Sequence, residues 1–205
     1  MIALCAEHHA KADAGAYTVD QLRSFKRDGA ERAGEIRGRF DWMRREVLWV
    51  VGGNFYFEVP TIFSFRDDPV VWINRDDDGY LLLNLWMLTM SAAPRARIRD
   101  NFWFSQGTPE DLESPPHGRL LNVRYWNGDA LRVTFLDLAS DQVARARWPD
   151  AEVASWGLSF PLTAAEIHLR VAGTNIEFGP RYTTLPGVAI RNIFFARSGG
   201  GIALG

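Results

Sequence analysis

The sequence predicts an α+β chain: a short helical segment at the N-terminus followed by a mainly antiparallel β domain of sandwich-like build. Three observations predict it. Helix-type signals are confined to residues 1–45 and to one stretch near 139–147. From Asn54 onward, short apolar runs are split by turn residues, the texture of an all-β domain. Asn127-Gly128, set between two alternating runs, specifies an antiparallel hairpin.

Taken in order, Thr18-Val19-Asp20-Gln21 has capping-box spacing, in which the Thr hydroxyl accepts from the backbone three residues on and Gln21 reaches back. The helix it opens carries Leu22 and Phe25 and should stop at Asp28-Gly29. A second helix is expected where Ile36, Phe40 and Met43 recur at spacings of four and three, with Arg32, Arg37, Arg39 and Arg44 mostly on its other sides. Gly34 and Gly38 weaken it. Gly52-Gly53 then marks a boundary, so the chain divides into 1–45 and 46–205. Strands are expected over 55–65 (broken at Pro60), 70–73, 80–90, 96–104, 120–125 and 131–138, then over 166–171, 176–178 and 188–195, with a short tail at Ile202. Residues 139–147, between Leu138 and Trp148-Pro149, read as the one helix within this region.

The hairpin can be specified further. Leu121, Val123 and Tyr125 alternate with other residues, and so do Leu131, Val133 and Phe135. A two-residue loop would put these two apolar sets on opposite faces. A three-residue loop, Trp126-Asn127-Gly128, pairs Val123 with Leu131 and Leu121 with Val133, keeps one face apolar and puts Gly where a left-handed conformation is needed. This favours a sandwich. A β-solenoid is the alternative, kept open by Asn54-Phe55, Asn101-Phe102 and the glycine-rich tail, although no repeat of fixed period is present.

Composition bounds the function. The 205 residues are 47% hydrophobic and 23% charged, with eight Trp and thirteen Phe, enough for one sizeable core and a small appendage. No apolar run approaches the roughly 18 residues of a membrane helix, and residues 81–90 are interrupted by Asn84 and Thr89. The start lacks the basic and apolar regions of a secretory signal. A single Cys excludes an internal disulfide and suits a reducing compartment, so a cytoplasmic location without membrane contact is expected. Net charge is −2: residues 1–45 carry nine Lys and Arg against seven acids, and residues 46–205 fourteen against eighteen. Such a small basic excess is a weak footprint for a polyanion. After Lys26 every cation is Arg, which coding bias explains more simply than a phosphate-reading surface.

The segment Ile2-Ala3-Leu4-Cys5-Ala6-Glu7-His8-His9-Ala10-Lys11, continued through Gly15, Tyr17 and the capped helix with Leu22, resembles the end of the HNH endonuclease signature. The resemblance implies that His9 binds the catalytic divalent metal (Mg or Mn), and that Cys5 and His8 are half of a structural Zn knuckle. It also implies DNA as partner, with Lys11 a candidate phosphate contact. Arg23, Lys26 and Arg27 in the helix that follows are further candidates for nucleic-acid contact. The spacing is compatible: a C-x-x-H turn at a helix start lets two side chains converge on tetrahedral zinc at about 2.0–2.3 Å, and His9 points about 100° round the helix from His8. The family's central Asn, its general-base His and its other zinc pair would precede Met1. The implied protein is therefore a fragment or N-terminally truncated form of a metal-dependent DNA endonuclease whose β-rich domain recognises or senses a target. The alternative is a non-catalytic binding module with a vestigial HNH segment.

Other motifs read as structure. Asn74-Arg75-Asp76-Asp77-Asp78-Gly79 matches half of an EF-hand loop, but Leu85 stands where a bidentate Glu is required, so an acidic β-turn is expected. Glu110, Asp111 and Glu113 beside Pro109 and Pro115-Pro116 read as a solvated loop, and His117 and His168 are assigned no role in the HNH-like site. Gly199-Gly200-Gly201 opens no helix and so cradles no phosphate.

Two outcomes follow. Because Cys5 and His8 supply half a coordination shell, zinc binding to this chain should be weak, as a chelator competition will read. Without a positioned base, phosphodiester hydrolysis loses roughly a hundred- to ten-thousand-fold. Plasmid nicking with Mg or Mn should therefore be absent or slight for the 205-residue chain. It should appear on an upstream extension restoring the His and Asn, and vanish again on His9→Ala.

Overall fold

A computed structural model describes residues 18–20, 23 and 36–205. Val19, Asp20 and Arg23 are helical, directly after Thr18; the remainder of the predicted first helix lies outside the described residues. A compact unit runs from Arg37 to Gly205. Its strands form two mixed sheets. The seven-stranded sheet has the order β1-β8-β7-β6-β5-β4-β17, built from β1 (Ile36–Arg39), β4 (Thr61–Phe65), β5 (Asp68–Arg75), β6 (Leu81–Trp86), β7 (Arg97–Arg99), β8 (Phe102–Ser105) and β17 (Ile202–Leu204). The ten-stranded sheet follows the path β15-β14-β13-β12-β11-β10-β9, with β2, β3 and β16 branching from β12. Its members are β2 (Val47–Val51), β3 (Asn54–Phe57), β9 (Pro109–Glu113), β10 (Leu120–Tyr125), β11 (Ala130–Leu138), β12 (Leu162–Val171), β13 (Ile176–Phe178), β14 (Thr183–Leu185), β15 (Val188–Ile190) and β16 (Phe194–Ala196).

Both sheets bury apolar residues in one continuous cluster. It includes Ile62, Val71, Leu83, Leu85 and Ile98 from the smaller sheet, and Val123, Leu131, Val133, Ile167 and Leu169 from the larger. β2 is buried along its whole length because both its faces are covered. Val47, Trp49 and Val51 enter this cluster. Leu48 and Val50 enter a second one beneath α1 (Asp141–Arg147), with Phe55, Trp148 and Ala164. Each such side chain removed from water contributes about 1.5–3 kcal/mol. The helix ends at the expected residue 147 but begins two residues later than the expected 139. Ser140 caps it by accepting from the Val143 amide, Arg145 pairs with Asp141 one turn back, and Pro149 follows its end.

The predicted hairpin has the expected register, Val123 opposite Leu131 and Leu121 opposite Val133. Its loop is Trp126-Asn127-Gly128, closed by Tyr125 N–H to the Asp129 carbonyl at 2.9 Å, with Gly128 at φ 91°. The acidic turn also forms: the Asp76 carboxylate accepts from the Asp78 and Tyr80 amides at 3.1 and 2.8 Å.

Other expectations need correction. Residues 36–39 are strand, so no helix carries Ile36, Phe40 and Met43. Gly38 packs its bare Cα against the Trp103 ring, where any Cβ would collide, and Phe40 is fully buried. Gly52-Gly53 marks no boundary; it is the two-residue turn joining β2 to β3, with Val51 opposite Asn54. Both glycines have positive φ, and a Cβ on Gly53 would strike the Arg181 carbonyl. Glu110, Asp111 and Glu113 lie on strand β9, paired with β10, rather than in a loop. Strands β2 and β14, and residues 162–165 of β12, were not expected.

Two polar clusters fix the loops to this frame. The fully buried Asp129 carboxylate accepts from Thr89 Oγ1 (2.6 Å), Arg95 Nε (2.8 Å), Asn127 Nδ2 (2.8 Å) and the Ala172 amide (2.8 Å). The buried Asn54 amide donates to the Gly52 carbonyl, Thr183 Oγ1 and the Ile190 carbonyl, tying the β2–β3 turn to the β14–β15 region. At the corner between sheets, the chain passes from β3 to β4 through Glu58-Val59-Pro60, and residues 197–201 follow the same course from β16 to β17. Arg197 holds Glu58 there at 2.7 Å.

Asp129→Ala should cost about 3–5 kcal/mol in urea denaturation, because it strands the buried Arg95 guanidinium. Burial alone would raise the Asp129 carboxyl, but its donors outweigh this and hold it below its ordinary value. The resulting stabilisation is complete above the unfolded value near 4 and is lost as pH falls through the folded one. Thermal midpoints of the wild type should therefore drop more steeply below about pH 4 than those of Asp129→Asn. Gly53→Ala should destabilise by roughly 2 kcal/mol or more in the same urea assay, since a left-handed backbone and a carbonyl clash coincide.

Candidate functional site

Of the residues singled out by the HNH-like pattern and the helix after it, Cys5, His8, His9, Lys11, Lys26 and Arg27 lie outside the described residues. Arg23 is exposed and bonds Asp20 at 3.2 Å. Among the described residues, no group of three or more His, Cys, Asp or Glu is placed to hold a metal ion.

Strand alternation makes one face of the seven-stranded sheet chemically distinct. Residues opposite one another in an antiparallel pair share a face. Arg97 stands opposite Trp86 on one side and Phe104 on the other, and Arg99 stands opposite Phe102. The Arg97 guanidinium lies 5.1 Å from the Phe104 centroid, and Arg39 of β1 lies 5.0 Å over Phe102. Arg37, two residues before Arg39, shares its face by period two. Trp86 is 60% exposed and Phe102 46%, so these rings are not core that happens to reach the surface. Guanidinium groups and aromatic rings thus alternate across four strands. Among the described residues, the Asp100 carboxylate accepts from Asn74 and Asn84 at 3.1 and 3.2 Å, and Asp41 sits 3.9 Å from Arg39.

The same face ends in an apolar cleft of about 460 Å³ lined by Phe65, Asp68, Pro69, Val70, Trp72, Trp86 and Leu88. Arg66 covers the Phe65 ring at 5.3 Å, so the cleft has an arginine at its edge as well as Arg97 beside Trp86. A larger hollow of about 520 Å³, near Arg44, Arg45, Glu46 and Asp137, is of mixed sign. Within it, Arg44 bonds Thr163 and lies over Trp42, and Asp137 pairs with Arg119.

The ten-stranded sheet carries a buried ionic clamp on its outer face. Glu166 accepts from Arg147 Nε and Nη2 at 2.9 and 2.7 Å and from Trp148 Nε1 at 3.1 Å. A carboxylate committed to three donors anchors α1 to β12. His168, two residues along and opposite Arg132, is held below the ordinary imidazole value by burial; Glu166 opposes this, while Arg132 and Arg147 reinforce it. His117 accepts from the Arg119 amide at 3.1 Å and closes a surface loop.

Comparison with protein-family models, curated proteins and solved structures found no match.

The sequence pointed to none of the arginine–aromatic face. Its signal was present as Arg37-Gly38-Arg39, Arg97-Ile98-Arg99 and Phe102-Trp103-Phe104, three period-two triplets that alternation places on one side. An NMR titration should show His168 protonating below the usual value of about 6.5. Glu166→Gln, which removes the charge favouring the imidazolium, should lower it further.

Proposed function

We propose that residues 37–205 form a nucleic-acid recognition domain that presents the arginine–aromatic face of the seven-stranded sheet. The alternation of Arg37, Arg39, Arg97 and Arg99 with Trp86, Phe102 and Phe104 carries this reading. Guanidinium groups neutralise phosphates, and exposed rings and guanidinium planes stack on bases. The two sheets enclosing one apolar cluster support a sandwich-like scaffold, on whose rigid strands such a face stays in register. Net charge over residues 46–205 is negative, so binding rests on this local field rather than on the whole surface.

In this reading the domain serves an HNH-type segment at the N-terminus, in a cytoplasmic protein acting on DNA. The support is the Cys5, His8, His9 and Lys11 pattern, which fits half a structural Zn knuckle and one ligand for a catalytic Mg or Mn ion. The second reading, a binding module with a vestigial HNH segment, assigns the same face the same role. Among the described residues no helix is long and apolar enough to cross a membrane.

Fluorescence anisotropy with a labelled single strand at several salt concentrations tests the proposal. Each phosphate contact contributes about 0.7 to the slope of log K against log salt for single strands. Arg39→Ala with Arg99→Ala should therefore weaken binding and flatten the slope by about 1.4. An unchanged slope would move the interface elsewhere.

A further inference from the structure

We propose that a small hollow, between the open end of the β14–β15 hairpin and the residues that end α1, binds a compact oxyanion of the phosphate or phosphomonoester class. The site belongs to the larger sheet and does not rest on the nucleic-acid reading of the smaller one. Its volume of about 120 Å³ corresponds to about four waters at roughly 30 Å³ each, room for a phosphate group but not for a nucleoside. Arg147, Arg181 and Arg191 line it, against one carboxylate, Asp150. Arg147 is committed, because its Nε and Nη2 hold Glu166 and the two charges cancel. Arg181 and Arg191 are not. Among the described residues neither guanidinium has an ion-pair, hydrogen-bond or ring partner, and Asp150 pairs with neither. Two uncommitted cations therefore face one carboxylate, and the hollow keeps a positive excess.

Chain geometry keeps those two cations together. Thr183 stands opposite Ile190, so Arg181 and Arg191 leave the open end of the hairpin on adjoining chains. Like charges on adjoining strands repel, and an anion between them replaces that repulsion with attraction. The walls are also fastened to one another. Asn192, at φ 57°, donates its backbone amide to the Gly53 carbonyl at 2.9 Å and its side-chain amide to the Asp150 carbonyl at 3.0 Å. Gly53 in turn presses its bare Cα against the Arg181 carbonyl. The segments bearing Asp150, Arg181 and Arg191 are thus held in place before a ligand arrives, so little order is lost on binding. Shape selects the oxyanion: a planar carboxylate presents one fork to one guanidinium, whereas a tetrahedral phosphate has oxygens for two arriving from different chains.

The test titrates the isotopically labelled full chain with inorganic phosphate, glycerol phosphate and acetate, reading the Asn192 side-chain amide and the Trp148 indole at the hollow. Phosphate should shift both saturably, and acetate should bind about tenfold more weakly, the value of one charge-assisted hydrogen bond. Arg181→Ala and Arg191→Ala should each weaken phosphate by about the same factor. Both side chains are exposed, so each variant should keep the wild-type thermal midpoint, which is measured alongside. Asp150→Asn should tighten phosphate severalfold, because it removes the carboxylate that repels the anion and leaves the backbone carbonyl that Asn192 bonds. Glycerol phosphate binding as tightly as phosphate would assign the site to a phosphomonoester, and its exclusion would assign it to the free ion. No saturable binding by the wild type would overturn the site. So would phosphate binding unchanged by both arginine substitutions, or unchanged or weakened by Asp150→Asn. Acetate binding as tightly as phosphate would overturn the ligand class. An unphosphorylated single strand, whose phosphodiesters are each flanked by two sugars, should leave both reporters unmoved; a shift on adding it would overturn the compact site.

Discussion

Strand β12 shares one of its edges between two partners, and most of the architecture follows from that. Its other edge pairs along the full length with β11, from Leu138↔Leu162 to Ala130↔Arg170. On the shared edge, residues 163–167 accept β2 in parallel and residues 169–171 accept β13 antiparallel. A strand flanked on both edges and covered on both faces has no solvated side, which is why nearly all of Leu162–Val171 is buried. Ala165, Ile167, Leu169 and Val171 face the cluster between the sheets, whereas Leu162 and Ala164 face the cluster under α1. Glu166 is the buried charged residue of the strand, and the bidentate Arg147 contact with the Trp148 indole removes the penalty of burying it.

The seven-stranded sheet is attached to that frame by its edges and corners. Asp129, at the tip of the β10–β11 hairpin, grips Thr89 and Arg95 from the segment joining β6 to β7. The C-terminal strands β16 and β17 run parallel to β3 and β4 and cross the same corner, so the two sheets are joined twice by neighbouring segments. Gly201 lies so close to the Ile62 carbonyl and the Tyr56 ring that no side chain fits. Among the described residues no helix packs on the outer face of β5 to β8, in contrast to the α1 side of the larger sheet. Arg97, Trp86 and Phe102 stand on that face.

Much of the fold was legible because local chemistry and burial agree. Asn127-Gly128 sets the hairpin loop and the Leu121–Val133 register follows from it, while Leu138 and Trp148-Pro149 bracket the helix. β2 was not legible because Val47–Val51 is uniformly apolar: period-two alternation disappears when both faces are covered, and Gly52-Gly53 then resembles an end rather than a turn. Residues 36–43 misled because Ile36, Phe40 and Met43 carry helical spacing by chance. Tertiary packing against Trp103 made Gly38 a strand residue. The arginine–aromatic face was hidden for a further reason. Its members come from β1, β6, β7 and β8, and only pairing across strands shows that the Arg and aromatic triplets share a side.

The central claim is that this face, and not the α1 side, meets nucleic acid. Indole N–H resonances report on it directly, because Trp72 and Trp86 line the cleft whereas Trp148 lies beneath α1 and Trp49 in the core. Titration of the isotopically labelled chain with a short single strand should shift the Trp72 and Trp86 indoles and the Arg99 side chain, leaving Trp49 and Trp148 unmoved. Shifts confined to Trp148 and its surroundings, or no shifts at saturating strand, would contradict the account.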